Sequence, residues 1–224
     1  IVVGDPTPWA EALAGSARKL RVGDPSASEV DLGPMVSEQA RDWFHQLIRR
    51  TVYAGATVLA GGDSLPGPGA FYAPTVLLDA SRGIESDAER ALAGAFGPVV
   101  LVRGVPDIDA AIAAANATEY GLGASIWTRD RKAARGFAAR IQAGTVAIND
   151  AVTPTSHLTA PFGGMKASGY GRTHGVIGLR EFAQPKVTFA RKPGGLRPQL
   201  YPYGSSALLD RTLAAYRWYF HPTR

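Results

Sequence analysis

Lys166, Ser168 and Arg172 fall inside one unusual run, Pro161-Phe162-Gly163-Gly164-Met165-Lys166-Ala167-Ser168-Gly169-Tyr170-Gly171-Arg172-Thr173-His174-Gly175. Its five glycines argue against ordinary helix or strand. Each glycine costs about 0.5–1 kcal/mol there, and is kept where the backbone takes positive φ or approaches another group closely. By composition alone the run reads as a long surface loop. The other chemical possibilities are few. The chain has no cysteine, so a thiol nucleophile, a disulfide and a thiolate metal site are all excluded. Its histidines, His45, His157, His174 and His221, show no i, i+4 pair and no metal-ligand spacing. They read as surface or loop residues, and no metal is expected. No zinc-finger or RNP pattern supports nucleic-acid binding.

The elements that must hold this loop alternate between strand and helix. Ile1–Val3 reads as a short strand. Thr7 and Pro8 supply a cap and a first-turn proline for a helix reaching about Leu20. Ser37 caps a second helix, with Trp43, Phe44, Leu47 and Ile48 on one face and Gly55 at its end. Thr57–Leu59 and Tyr72–Leu78 read as strands around the turn Pro66-Gly67-Pro68-Gly69, and Val99–Val102 as a buried strand. Asp107 caps a helix over Ile108–Ala115; Ala124–Thr128 is a strand, Arg131–Ile141 a helix and Thr145–Ile148 a strand. Loop 150–175 follows, then a helix near Val176–Phe182 and a strand over Lys186–Ala190. This order predicts an α/β fold with a mostly parallel, Rossmann-like sheet.

With 224 residues, 46% of them hydrophobic and 19% charged, the chain has ample material for a core. No apolar run approaches the roughly 18–20 residues that cross a bilayer. No secretory signal opens the chain, and a cytoplasmic location is the expectation. Because the first residue is Ile rather than Met, a fragment or processed product is expected. The net charge of +5 is unevenly placed. From Lys186 onward seven Lys/Arg face one acid, Asp210, whereas residues 1–185 hold seventeen bases and eighteen acids. The body therefore exerts no pull on nucleic acid. The tail, 193–224, predicts a helix capped by Ser205 or Ser206, with Leu208, Leu209, Leu213, Tyr216 and Phe220 on one face. Its two readings are a membrane-surface helix and a helix packed on its own protein or a neighbouring subunit. The second is favoured, because the helix is short and weakly basic.

The run 161–175 resembles the PFGG-x-K-x-SG-x-GR-x-x-G signature of the aldehyde dehydrogenase superfamily. Further segments resemble that family in its own order: Leu20-Arg21-Val22-Gly23-Asp24-Pro25 with Leu32-Gly33-Pro34-Met35, Phe96-Gly97-Pro98-Val99, Ala115-Asn116 with Tyr120-Gly121-Leu122, Trp127-Thr128-Arg129-Asp130, and Gly144 to Asn149. The resemblance covers roughly residues 1–190. It implies the C-terminal part of a catalytic domain (1–184), a final oligomerisation strand (185–192) and a basic, aromatic tail outside the family pattern (193–224).

The family's reaction is NAD(P)-dependent oxidation of an aldehyde to an acid. A cysteine thiolate attacks the carbonyl, hydride passes to nicotinamide, and a glutamate activates water to hydrolyse the thioester. The resemblance places that cysteine and that glutamate upstream of Ile1, so no catalytic residue is expected in this chain. It implies a cofactor contact for Phe96, beside the nicotinamide ribose. On its own, Phe96 reads as a core aromatic before a Gly-Pro turn. It implies substrate contacts for Asn149, which closes a strand, and for Phe162. Asn149 alone reads as an amide satisfying loop backbone. Lys166, Ser168 and Arg172 are read as holding the loop's shape. Gly94 stands where the family has a glutamate that binds the ribose hydroxyls, which predicts weakened binding of NAD or NADP. An aldehyde substrate and a homo-oligomer are the implied partners. A degenerate, non-catalytic domain kept for subunit association is the alternative.

Overall fold

The computed structural model describes residues 1–81, 83–151, 156–190 and 206–220. They fall into two compact units, Ile1–Ala183 and Gln184–Arg224.

In the first unit a four-stranded sheet runs in the order β1-β4-β3-β2, built from β1 (Val2–Val3), β2 (Ala56–Ala60), β3 (Thr75–Asp79) and β4 (Val99–Val105). β4 pairs in parallel with both β1 and β3, while β2 closes the edge antiparallel to β3. Helix α1 (Thr7–Ala17) covers the sheet through buried Ala10 and Ala14, packed with Ala60, Val76 and Val102. Helix α2 (Glu38–Tyr53) buries Phe44 and Ile48 with Ala56, Tyr72 and Leu77. Ser37 caps α2 as expected, accepting a hydrogen bond from the Ala40 N–H at 3.1 Å. Phe44 meets Tyr72 edge-on at 4.8 Å between ring centroids.

Helix α3 (Asp87–Leu92) was not anticipated, although Ser86-x-x-Glu89 is a capping signature. Ser86 accepts from the Glu89 N–H at 3.0 Å. Helix α4 (Ile108–Ala117) starts at the expected Asp107 cap. β5 (Tyr120–Gly121) and β6 (Gly123–Ile126) follow, then α5 (Arg131–Ala138) and β7 (Thr145–Ile148). β6 and β7 form a parallel pair. The Gly-rich run contains β8 (Met165–Lys166), antiparallel to β5, and leads into α6 (Gly175–Glu181).

Several boundaries differ from the sequence reading. α1 begins after Pro6 with no side-chain cap; the Thr7 N–H instead donates to the Asp5 carboxylate at 3.0 Å. Tyr72 lies before β3, in an isolated bridge with Ser64. Residues 184–190, all exposed, carry no strand within the single chain; the oligomerisation strand expected over 185–192 would pair with a second copy, and residues 191 and 192 lie outside the described set. Strand geometry needs a ladder partner, and the apolar–polar alternation of Lys186–Ala190 does not supply one. In the second unit, helix α7 spans Ser206–Phe220. The expected cap Ser205 and the flanking tail residues lie outside the described set.

Candidate functional site

The Gly-rich run folds as a cross-braced turn. Phe162 and Thr173 exchange two backbone hydrogen bonds, of 2.8 and 2.7 Å. Arg172 Nη1 donates to the carbonyls of Gly164, Tyr170 and Gly171 at 2.8, 3.0 and 2.9 Å. A planar guanidinium donor set suits this clustering of carbonyls. Lys166 Nζ reaches the carbonyls of Asn116 and Thr118, at 2.7 and 3.1 Å. Ser168 Oγ accepts from the Gly121 N–H at 3.0 Å. Each of the three motif side chains is thus engaged with backbone, the shape-holding role read from the sequence.

The turn is pressed onto the start of β7. A Cβ built on Gly144 would lie 1.7 Å from the Gly163 carbonyl oxygen. Backbone meets backbone there because both residues are glycine. Asn149 closes β7 at the other end, five residues on, or roughly 17 Å along an extended strand. Its φ is +54°. Its amide oxygen accepts from the Thr128 N–H at 2.8 Å and its amide nitrogen donates to the Thr128 carbonyl at 2.9 Å. Asn149 therefore latches β7 to the segment after β6. Phe162 is half-buried, with its ring 6.3 Å from that of His174. The two residues expected to touch substrate sit toward opposite ends of one strand.

Phe96 and Gly94 stand apart from that turn in sequence. Phe96 is 88% exposed. The packing expected of a core aromatic is instead made by its neighbour: the Phe44 ring closes over Gly97, 2.6 Å from where a Cβ would stand. Gly94 has φ +77°, and its Cβ position lies 3.5 Å from the Tyr120 hydroxyl. Tyr120 pairs with Lys166 across β5 and β8. The fold thus brings Gly94, Tyr120 and the motif lysine into one neighbourhood. A cleft of about 420 Å³ opens beside it, lined by Glu89, Arg90, Ala93, Thr118 and Glu119. A second, of about 230 Å³, shares Glu89, Ala93 and Thr118 and reaches Ile1 and Arg103.

Behind these clefts lies an ionic node that sequence reasoning missed. Arg103, buried on β4, pairs with Glu89 at 2.7 Å and donates to the carbonyls of Gly83 and Ile84 at 2.7 and 2.9 Å. An arginine inside an otherwise apolar strand was the available signal. Its cross-strand partner Asp79 is also buried, and accepts from the Ser81 N–H at 2.8 Å and the Ser81 hydroxyl at 2.6 Å, and from the Ser86 hydroxyl. Burial pushes the Asp79 carboxyl up, but the Ser81 and Ser86 hydrogen bonds and the Arg103 charge outweigh it, so its pKa is lowered. Among the described residues no group of three or more His, Cys, Asp or Glu is placed to hold a metal. No helix among them is long and apolar enough to cross a membrane.

Comparison with known proteins places this architecture. The sequence pattern described as the aldehyde dehydrogenase family matches residues 7–188. Succinate-semialdehyde dehydrogenase NADP(+) 1 of Mycobacterium ulcerans is 42% identical over 170 residues, covering 76% of this chain and 36% of the relative. The corresponding Mycobacterium avium enzyme is 40% identical over 172 residues, covering 77% of this chain and 35% of the relative. The chain thus spans about a third of the length of these relatives. Among solved structures, the NAD+ complex of Bacillus cereus aldehyde dehydrogenase superposes with a TM-score of 0.73 at 33% identity, covering 80% of this chain and 35% of that one. Succinic semialdehyde dehydrogenase of Streptococcus pyogenes with NADP+ gives 0.75 at 31% identity, covering 83% and 40%. The largely parallel α/β arrangement is the Rossmann-like fold of those enzymes. With its signature turn, its motif order and these relatives in agreement, the chain belongs to the aldehyde dehydrogenase family.

Proposed function

We propose that this chain supplies the C-terminal part of the catalytic domain of an NAD(P)-dependent aldehyde dehydrogenase, which oxidises an aldehyde to a carboxylic acid, and that it is inactive alone. The carrying observation is the signature turn. Its Lys166, Ser168 and Arg172 are spent on bracing backbone, as befits a scaffold and not a reacting group. The chain has no cysteine to attack a carbonyl. The names of the relatives point to a semialdehyde as the substrate class.

The residues present do not by themselves fit a nicotinamide nucleotide. Phe96 offers an exposed ring. Gly94 offers no carboxylate for the ribose hydroxyls, so no hydride-transfer step is derived from this chain's residues. What they do is mechanical. Gly144 and Gly163 let the turn close onto β7, and Asn149 fixes where the loop after β7 leaves. Phe162 and Asn149 remain our candidates for substrate contact and Phe96 for cofactor contact, in a site completed by residues outside this chain. The exposed Val187 and Phe189 are the proposed contact to a second copy. The Gly94 departure favours a second reading, a degenerate domain kept for subunit association. Purified chain incubated with succinate semialdehyde and NAD or NADP tests the first reading: no NAD(P)H is expected, and aldehyde-dependent NAD(P)H formation refutes it.

A further inference from the structure

Two asparagines hold β7. Asn149 grips the strand's far end through Thr128, its amide oxygen accepting and its amide nitrogen donating. Asn116, in the last turn of α4, makes the same double grip on the approach to the near end. Its amide oxygen accepts from the Gln142 N–H at 2.7 Å, and its amide nitrogen donates to the Arg140 carbonyl at 2.9 Å. A side-chain amide that meets one N–H and one C=O in this way stands in for a pair of backbone hydrogen bonds. The main chain of Asn116 serves the signature turn. Its carbonyl accepts from Lys166 Nζ at 2.7 Å, and the Thr118 carbonyl takes a second bond from the same ammonium. Lys166 has φ +54°, a conformation that costs a residue with a side chain and persists only where it is anchored. The two segments that Asn116 holds also meet each other. Gly144, two residues past Gln142, is backed by the Gly163 carbonyl, which fills the space a side chain would need. Gly163 in turn stands three residues before Lys166. The amide of one residue thus places the β7 side of this contact, and its carbonyl places the turn side.

We propose that Asn116 is a positioning residue for the substrate contacts: it sets β7, with Asn149 at its end, against the turn that carries Phe162. The assignment of Asn149 and Phe162 to the substrate rests on the function proposed above. Asn116 acts through the segment Arg140–Gly144 on one side and through Lys166 on the other. Asn116→Ala frees residues 140–142 but leaves the carbonyl that holds Lys166, so the strand shifts against an intact turn. Asn116→Asp keeps the acceptor for Gln142 and loses the donor for Arg140, and its effect is intermediate. Lys166→Met frees the opposite side of the same contact and reaches the same outcome by an independent route.

Two measurements test this. The first is amide hydrogen exchange by NMR on the full chain. Asn116→Ala accelerates exchange at the Gly144 and Phe162 N–H groups by about tenfold relative to amides of β3 and β4, which one to two lost hydrogen bonds supply. The control Ser37→Ala removes the cap of α2 and lowers stability without favouring those two amides. The second is steady-state kinetics of a full-length chimera, with residues 7–188 in place of the matching segment of the Mycobacterium tuberculosis succinate-semialdehyde dehydrogenase. There Asn116→Ala raises KM for succinate semialdehyde by about tenfold, with KM for NADP and kcat each within about twofold of the parent. Ser37→Ala moves none of the three. Exchange at Gly144 and Phe162 that is unmoved, or that rises equally throughout the chain, overturns the proposal. So does an unmoved semialdehyde KM, or a rise in both KM values together, since a merely structural role loosens both sites alike. A parent chimera with no turnover counts against the proposed function, and the exchange measurement then decides the positioning claim by itself.

Discussion

Replacing Gly144 with alanine attacks the contact on which the signature turn depends. The new Cβ would lie 1.7 Å from the Gly163 oxygen, 2.7 Å from its carbonyl carbon and 3.1 Å from Gly164 Cα. A carbon rests at about 3.3 Å or more from a carbonyl oxygen, so the turn must retreat by roughly 1.5 Å. The obstructing atoms are backbone, and no rotamer change relieves them. The turn is also tethered to the rest of the fold, by Lys166 Nζ to the Asn116 and Thr118 carbonyls at 2.7 and 3.1 Å and by the Gly121 N–H to Ser168 Oγ at 3.0 Å. A shift of that size breaks these three bonds, at about 1 kcal/mol each. We expect Gly144→Ala to lose about 3 kcal/mol, or roughly 6–12 °C in melting temperature for a chain of this size. The matched control is Gly136→Ala, where a Cβ in α5 meets nothing within 4 Å; it should gain about 0.5–1 kcal/mol from helix propensity. Urea unfolding followed by circular dichroism measures both. A Gly144→Ala variant within about 0.5 kcal/mol of the parent refutes the reasoning.

The lowered Asp79 pKa makes acid stability a readout of the buried node. Its contribution is fully present above the unfolded value, about pH 4, and is lost as pH falls through the lower folded value. Asp79→Asn should cost about 2 kcal/mol at neutral pH, with the gap to the parent closing as pH falls below the unfolded carboxylate range; a pH-independent gap contradicts this. Gly94→Glu should tighten NAD(P) binding in a complete enzyme by restoring ribose contacts. Because φ is +77° at that site, it should also cost about 1–2 kcal/mol of stability, a cost present with and without nucleotide; an unchanged dissociation constant by calorimetry goes against the assigned position. With Val187 71% and Phe189 93% exposed, the isolated chain should self-associate. Val187→Pro, which removes a ladder donor, should reduce that association in analytical ultracentrifugation, and a clean monomeric parent at all concentrations counts against it.

The features best legible in the sequence were those with local causes. Ser37 and Asp107 announce α2 and α4 because a side-chain oxygen three residues before an N–H is a local geometry. Thr145–Ile148 was legible as a strand for the same reason, a short apolar run between turn residues. What escaped depends on neighbours. β8 exists because Tyr120 and Gly121 lie alongside Met165 and Lys166, a pairing across more than forty residues. The buried Arg103 is tolerable only because Glu89 and two carbonyls converge on it. Lys186–Ala190 has the alternation of a strand but no ladder. At the site, the motif spacing led to the bracing residues, while the separation of Asn149 from Phe162 along β7 required the fold.

The most direct test of the central claim is a chimera in which residues 7–188 replace the matching segment of the Mycobacterium tuberculosis succinate-semialdehyde dehydrogenase, 42% identical over 170 residues. NADP reduction driven by succinate semialdehyde should be measured for the chimera and for the chain alone. The account predicts turnover by the chimera and none by the chain. A folded chimera with no turnover, or turnover by the chain alone, contradicts it.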